Sequence, residues 1–337
     1  MPEMTIAEAL REGLREELRR DPRVFLLGED IGVPGGFGGA FTVTLGLSEE
    51  FGRERVRDTP ISEAAIAGVA IGAAINGMRP VADVQYSDFL FNMMDQLVNQ
   101  AAKLRYMSGG TLAVPMVMRA PVGATARGSQ HAQSPEAFFT HVPGLKVVAP
   151  ATAYDAKGLL KAAIRDDNPV LIFEHKLLYG SKGARSEKGA VSPKGEVPAE
   201  DYTVPIGEAI VRRPGTDVTI VASLLMLYRA LEAAEVLAQE GIAAEVIDPR
   251  SLVPFDKELV RHSVQKTGRL VIVEEDNLTN GWGAEVAALM ADEAFVWLDA
   301  PIKRVAAPDV PPPFAPVLEQ NYVPSVARVV ETVRSLF

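Results

Sequence analysis

Short apolar runs alternate with longer amphipathic stretches twice along this chain, a pattern that folds as helices packed on largely parallel sheets. The first series has apolar runs at Val24 to Leu27, Val81 to Val84, Val114 to Met118, Lys146 to Ala149 and Val170 to Phe173. Helical patterns from Ser87 to Tyr106 and from Ala153 to Arg165 separate them. The second series predicts strands at Val218 to Ala222, Ala244 to Ile247 and Arg269 to Glu274, with helices from Met226 to Gln239 and Phe255 to Lys266. Between the two, from about Gly180 to Pro205, periodicity gives way to Lys, Glu, Gly, Ser and Pro, as in an exposed linker. The expected organisation is α/β in two domains, residues 1–180 and a smaller 205–337, joined by a linker over 181–204.

The 337 residues exceed what one hydrophobic core usually serves, which agrees with two domains. At the N-terminus, Thr5 and Glu8 form a capping-box pattern ahead of Leu10, Leu14 and Leu18, and Asp21-Pro22 ends that helix. A Pro-rich loop from Pro308 to Pro316 precedes a last amphipathic stretch, Ser325 to Leu336.

A formal charge of -10 leaves no excess of Lys and Arg to displace counterions from a nucleic acid, so none is expected as a partner. The absence of cysteine excludes disulfides, thiolate metal sites and cysteine nucleophiles. No membrane span is expected, because no segment reaches about 18 uncharged apolar residues. Acidic residues at the start oppose a targeting peptide, and a cytoplasmic protein is expected.

Most motifs for chemistry fail. Gly36-Phe37-Gly38 lacks the third glycine of a dinucleotide fingerprint and reads as a loop, and there is no P-loop. The four histidines, His131, His141, His175 and His262, lack zinc-site spacing, and no Gly-x-Ser-x-Gly elbow occurs. The stretch after Glu63, Ala64 to Ala74, is almost wholly small or apolar. Such a helix has no solvated face and belongs in an interior or a subunit interface, approached closely at Gly68 and Gly72. Taken alone, Glu63 reads more simply as a helix-start acid facing the dipole than as an acid placed in a dry site for proton work.

Thr59-Pro60-Ile61-Ser62-Glu63 resembles the thiamine site of the beta subunits of 2-oxo acid dehydrogenases, in the transketolase-like superfamily. Further blocks follow in family order: Val84 to Phe89, Asp95 to Asn99, Arg105 to Gly110, His131 to Glu136, Pro143 to Val148, Asp155 to Leu159, Tyr202 to Gly207, Asp248 to Leu252 and Asp299 to Ile302. The ordered set spans essentially the whole chain. It implies a pyrimidine-binding thiamine diphosphate domain followed by a transketolase C-terminal-like domain. It further implies that Glu63 hydrogen-bonds the aminopyrimidine ring and activates the cofactor, with Phe89 stacked on that ring and Gln85 and Ile61 lining the pocket. The resemblance also places His131 near the reacting carbon, for acylation of the lipoyl group; many relatives have serine after this histidine where this chain has Ala132. Asp166 and Asn168 match a monovalent-cation site of some relatives, a potassium site, although a polar turn before Pro169 accounts for them equally well.

The superfamily holds the diphosphate and magnesium with a Gly-Asp-Gly motif, and this chain has no Gly-Asp pair. The resemblance therefore implies an alpha subunit that carries the motif, an α₂β₂ heterotetramer, and docking to a lipoyl acyltransferase core. Gln133 to Phe139 resembles branched-chain enzymes, and Asp299 to Val305 resembles pyruvate and acetoin enzymes. The expected reaction is oxidative decarboxylation of pyruvate or a branched-chain 2-oxo acid with acyl transfer to lipoamide. The alternatives are an acetoin dehydrogenase beta subunit and a noncatalytic assembly subunit.

Overall fold

Thr5 opens helix α1 (Ile6–Arg20) through a complete capping box: its hydroxyl accepts the Glu8 amide at 3.2 Å, and the Glu8 carboxylate accepts the Thr5 amide at 2.8 Å. Such a cap contributes about 1 kcal/mol. The computed structural model of the chain describes residues 2–180 and 193–337. These form two compact units, Met1–Val122 with Phe138–Ile206, and Gly123–Ala137 with Gly207–Phe337.

The first unit is built on parallel strands β1 (Val24–Gly28), β2 (Val56–Asp58), β3 (Arg79–Asp83), β4 (Val117–Val122), β5 (Lys146–Val148) and β6 (Val170–His175), in the order β5-β6-β4-β3-β1-β2. Strands β1, β4 and β6 are buried along their whole length, which is why they read as continuous apolar runs. Helix α2 (Glu63–Ile75) packs on β3, and α1 lies along α3 (Ala153–Arg165), burying Leu10 and Leu14 completely. From β1 the chain crosses to β2 on one side and then to β3 on the other. That reversal makes a switch point, where open α/β sheets take ligands at the carboxyl ends of their strands. Register holds those ends level, with Gly28 opposite both Asp58 and Asp83. Gly28 is required there, since a Cβ on it would lie 2.6 Å from the Asp83 carbonyl oxygen.

Two sequence expectations shift in this unit, and one strand in it went unexpected. The strand expected at Val114 to Met118 begins at Val117. The short strand β2, only three residues long, carries no periodic signal. The helix expected over Ser87 to Tyr106 is broken into a 3-10 segment Ser87–Met93, a π-helical segment Asp95–Ala101 and an α-helical end, Ala102–Met107. Of the expected linker, residues 181–192 lie outside the described residues. Residues 193–204 pack on the first unit: Tyr202 stacks on Tyr154 at 4.6 Å, Lys157 Nζ donates to the Pro198 carbonyl at 3.1 Å, and Val197 and Val204 are buried.

The second unit carries strands β7 (Ile210–Arg213), β8 (Val218–Ala222), β9 (Ala244–Asp248), β10 (Leu270–Asn277) and β11 (Lys303–Ala307), in the order β11-β10-β8-β9-β7, with only β7 antiparallel. Helices α4 (Leu225–Gln239), α5 (Lys257–Thr267) and α6 (Trp282–Glu293) alternate with the strands, and α7 (Pro316–Tyr322) and α8 (Val326–Arg334) close the chain. Its switch point falls between β8 and β10. The segment Gly123–Ala137, which carries His131, belongs to this unit. No helix among the described residues is long and apolar enough to cross a membrane.

Candidate active site

Just past the level ends of β1, β2 and β3 come Glu29, Thr59 and Gln85. Each has a buried side-chain oxygen with no hydrogen-bond partner: Glu29 Oε1, Thr59 Oγ1 and Gln85 Oε1. Buried polar atoms are rarely left unmatched, because desolvating one without a partner costs about 1–3 kcal/mol. Three of them at one switch point mark a place shaped for a polar ligand. Glu63 starts α2 beside them, half-buried, with Ser62 at the helix N-cap. Burial pushes the Glu29 carboxyl up to about 7, and the charges of Glu63, Asp83 and Asp30 push in the same direction. A carboxyl that keeps its proton near neutrality can donate a hydrogen bond or exchange a proton with a ligand nitrogen.

A buried ion cluster supports the site from below. Arg119 on β4 donates from Nη1 to Asp83 Oδ2 at 2.5 Å, from Nε to Glu174 Oε1 at 2.8 Å and from Nη2 to Glu174 Oε2 at 2.6 Å. The Tyr179 hydroxyl donates to Glu174 Oε2 at 2.5 Å. Burial raises the Asp83 carboxyl to about 6 against the pull of Arg119. Gln85 is held by this cluster, its Nε2 donating to Asp83 Oδ1 at 2.5 Å, which leaves Oε1 as the orphaned atom. Sequence reasoning missed Glu29, Asp83, Arg119 and Glu174. Their signal was a charged residue set at the carboxyl end of an apolar strand run.

Of the expected site residues, Glu63 and Gln85 converge on this edge through Glu29 and Asp83. Phe89 lies half-buried on the 3-10 segment that follows Gln85, and Ile61, on the loop into α2, is 80% exposed. His131 is half-buried in the second unit, its amide donating to the Gly128 carbonyl at 3.0 Å. Helix α2 buries Ile66, Ala67, Ala70, Ile71 and Ala74 but leaves Ala64, Ala65, Gly68 and Val69 exposed. Among the described residues nothing lies within 4 Å of a Cβ placed on Gly68 or Gly72, so the close backbone approach expected at these glycines does not come from them.

Asp166 and Asn168 are found together, but in an ion-paired turn. Asp166 Oδ1 accepts from the Asn168 amide at 2.8 Å and its Nδ2 at 2.7 Å, and Oδ2 pairs with Lys146. Asn168 Oδ1 accepts from Arg105 at 3.0 Å, and Arg79 caps the Ile164 and Asp166 carbonyls at 2.9 and 3.0 Å. With three cationic side chains already on these oxygens, the turn does not fit a further cation; the polar-turn reading accounts for both residues. Among the described residues no group of three or more His, Cys, Asp or Glu could hold a metal ion.

Residues 2–182 match the transketolase pyrimidine-binding domain, and residues 207–329 match the transketolase C-terminal domain. The chain is 46% identical over 338 residues to the 2-oxoisovalerate dehydrogenase subunit beta of Bacillus subtilis (strain 168), covering 100% of this chain and 99% of that protein. The chain belongs to the transketolase-like E1 beta subunits of 2-oxo acid, pyruvate and acetoin dehydrogenases. Another relative is the pyruvate dehydrogenase E1 component subunit beta-2, mitochondrial, of Oryza sativa subsp. japonica, 46% identical over 98% of this chain and 86% of that protein. The beta subunit of an acetoin:2,6-dichlorophenolindophenol oxidoreductase of Bacillus subtilis (strain 168) is 45% identical over 99% of this chain and 97% of that protein. Among solved structures, a split-gene transketolase described as an inactive beta4 tetramer superposes with a TM-score of 0.78 at 26% identity, over 99% of this chain and 98% of that one. Membership implies dependence on thiamine diphosphate. The orphaned atoms of Glu29, Thr59 and Gln85 fit a nitrogen-rich ring such as its aminopyrimidine, which offers both donors and acceptors.

Proposed function

We propose that this chain is the beta subunit of a lipoamide-acylating 2-oxo acid dehydrogenase, acting on pyruvate or a branched-chain 2-oxo acid. The observation that carries the reading is the trio of unmatched buried oxygens beside Glu63 at the β1/β3 switch point. Thiamine diphosphate, when bound, supplies the nucleophilic carbon and the electron sink for decarboxylation. The chain's own residues supply orientation and proton control. Glu63 would hold the aminopyrimidine ring and exchange a proton with it, and Glu29, pushed up to about 7 by burial and by the charge of Glu63, would spare the site part of a second negative charge near neutrality. Gln85, through its unpartnered carbonyl oxygen, Phe89 and Ile61 would hold the ring. His131 would protonate the sulfur released as the lipoyl disulfide is cleaved, its other sulfur taking the acyl group, a task that suits imidazole.

The diphosphate and magnesium are assigned to an alpha subunit in an α₂β₂ heterotetramer, with a lipoyl acyltransferase core as acceptor. The open small-residue face of α2 suits such a partner. The acetoin-type relative supports acetoin cleavage as the second reading, since it covers nearly all of both chains. Two domains of the pyrimidine-binding and transketolase C-terminal types remain our division of the chain, near residues 1–180 and 205–337. The test is co-expression with the alpha partner and assay against pyruvate, branched-chain 2-oxo acids and acetoin. Glu63→Gln is expected to lower turnover by roughly 10² to 10⁴. An unchanged rate would remove Glu63 from the mechanism.

A further inference from the structure

The segment Gly123–Ala137 contains no strand and little regular backbone pairing, so its amides need acceptors from elsewhere. Three of them are met by carboxylates of the second unit. The Ala124 amide donates to Glu275 Oε1 at 2.6 Å, the Ala126 amide to Glu319 Oε2 at 2.6 Å and the Ala137 amide to Asp276 Oδ2 at 3.3 Å. The Ser129 hydroxyl adds a bond to the Pro312 carbonyl at 2.8 Å. Ala126 has a φ of 54°, a left-handed conformation that an L-residue adopts only when its surroundings impose it. The two short carboxylate bonds are of the charge-assisted kind, stronger than neutral ones. His131 lies between the second and third anchors.

We propose that Glu275, Asp276 and Glu319 are positioning residues for His131: by accepting backbone amides on both sides of it, they fix the loop that presents its imidazole. The inference rests on the reading of His131 as the group that serves acyl transfer. Glu275 and Asp276 end strand β10, and Glu319 lies on α7, so the loop is tied to a rigid sheet and to a helix. Glu136 adds a fourth carboxyl, 94% buried, with Oε2 unpartnered. The groups facing it are Asp276, Glu275 and Glu274, the last paired with Arg304, and the Tyr322 phenol faces the same cluster. Burial, and then the charge of Asp276, push the Glu136 carboxyl well above the usual carboxylate range, which eases the repulsion among the four acids that grip the loop.

The test uses the full chain, alone and assembled with its alpha subunit. In the wild type, hydrogen exchange followed by mass spectrometry should show the peptide 123–137 protected; exchange at free-chain rates overturns the proposal without any variant. Glu319→Leu and Glu275→Leu remove an acceptor and should speed trypsin cleavage after Arg127 about tenfold, since native-state proteolysis follows the population of the opened loop. Glu319→Gln and Glu275→Gln keep an acceptor oxygen and should stay within about threefold of wild type. In the assembled enzyme, the Leu variants should lower acyl transfer to the lipoyl acceptor about tenfold with the KM for the 2-oxo acid unchanged. Leu variants with wild-type cleavage and wild-type acyl transfer would overturn the assignment. His131→Ala separates the two ideas: full activity in that variant ends the reading of His131 and leaves the exchange and proteolysis results to judge the anchoring alone.

Discussion

Glu29 is a carboxyl whose folded environment favours the proton, and that sets a sign for its effect on stability. Below its ordinary value of 4.5 it is protonated in both folded and unfolded chains and contributes nothing. As pH rises from 4.5 toward about 7, the unfolded chain gives up this proton first, so stability falls through that window and the penalty is complete above it. Glu29→Gln mimics the protonated form. In the isolated chain, the variant should melt with wild type at pH 4.5 and above it at pH 8. Because the side chain is only half-buried, screening reduces the effect to about 1 kcal/mol, or roughly 2 °C in a thermal melt. Identical melting at pH 8 would show that Glu29 does not titrate high. In the sequence, Glu29 is simply an acid after Leu27-Gly28, and the charges that shift it come from Glu63 and Asp83 on other elements. Asp83, Arg119 and Glu174 were hidden for the same reason. They lie on three different strands, and only the parallel register brings Asp83 opposite Arg119. Glu63, Gln85, Phe89 and Ile61 were singled out only through family resemblance, since local chemistry alone made Glu63 a helix-start acid.

At the scale of elements, amphipathic segments were the easiest to read. Helix α1 carried its cap, its leucine stripe and its stop in the sequence, and α3 begins and ends where its pattern does. Segments without a clean period were read less well. Ser87 to Met107 has helical composition, yet its backbone passes through 3-10, π and α geometry, which local patterning does not distinguish. Helix α2 shows a different limit: being apolar all round, it revealed that it needs cover on every side but not what supplies the cover. Its inner face meets the sheet, and Gly68 and Val69 remain bare in this chain. Gly68→Leu should therefore leave the isolated chain as stable as wild type or slightly more so, since leucine is the better helix former. Overfilling a close-packed partner surface costs about 1–3 kcal/mol, so assembly with the alpha subunit should weaken roughly 10- to 100-fold by analytical ultracentrifugation. Wild-type assembly in that variant would show that this face of α2 is not the contact.

For the whole molecule, charge and the placement of acids decide what the chain can hold by itself. The net charge is -10, and the switch point gathers Glu29, Glu63 and Asp83. These groups suit a ring that exchanges protons, whereas a diphosphate needs cations, backbone amides or a bridging metal. No group of three or more His, Cys, Asp or Glu among the described residues is placed to hold a metal ion, and the sequence has no Gly-Asp pair. The isolated chain, supplied with thiamine diphosphate and magnesium, should therefore decarboxylate no 2-oxo acid above the buffer rate. Calorimetry should find the cofactor bound at least about tenfold more weakly than by the assembled enzyme, the loss of even one charge-assisted contact being sufficient for that. Adding the alpha subunit should restore both binding and turnover, and titration should reach its end point at one alpha chain per beta chain. Turnover by the isolated chain would mean that the diphosphate finds its ligands here after all, and the division of the cofactor between two subunits would have to be abandoned.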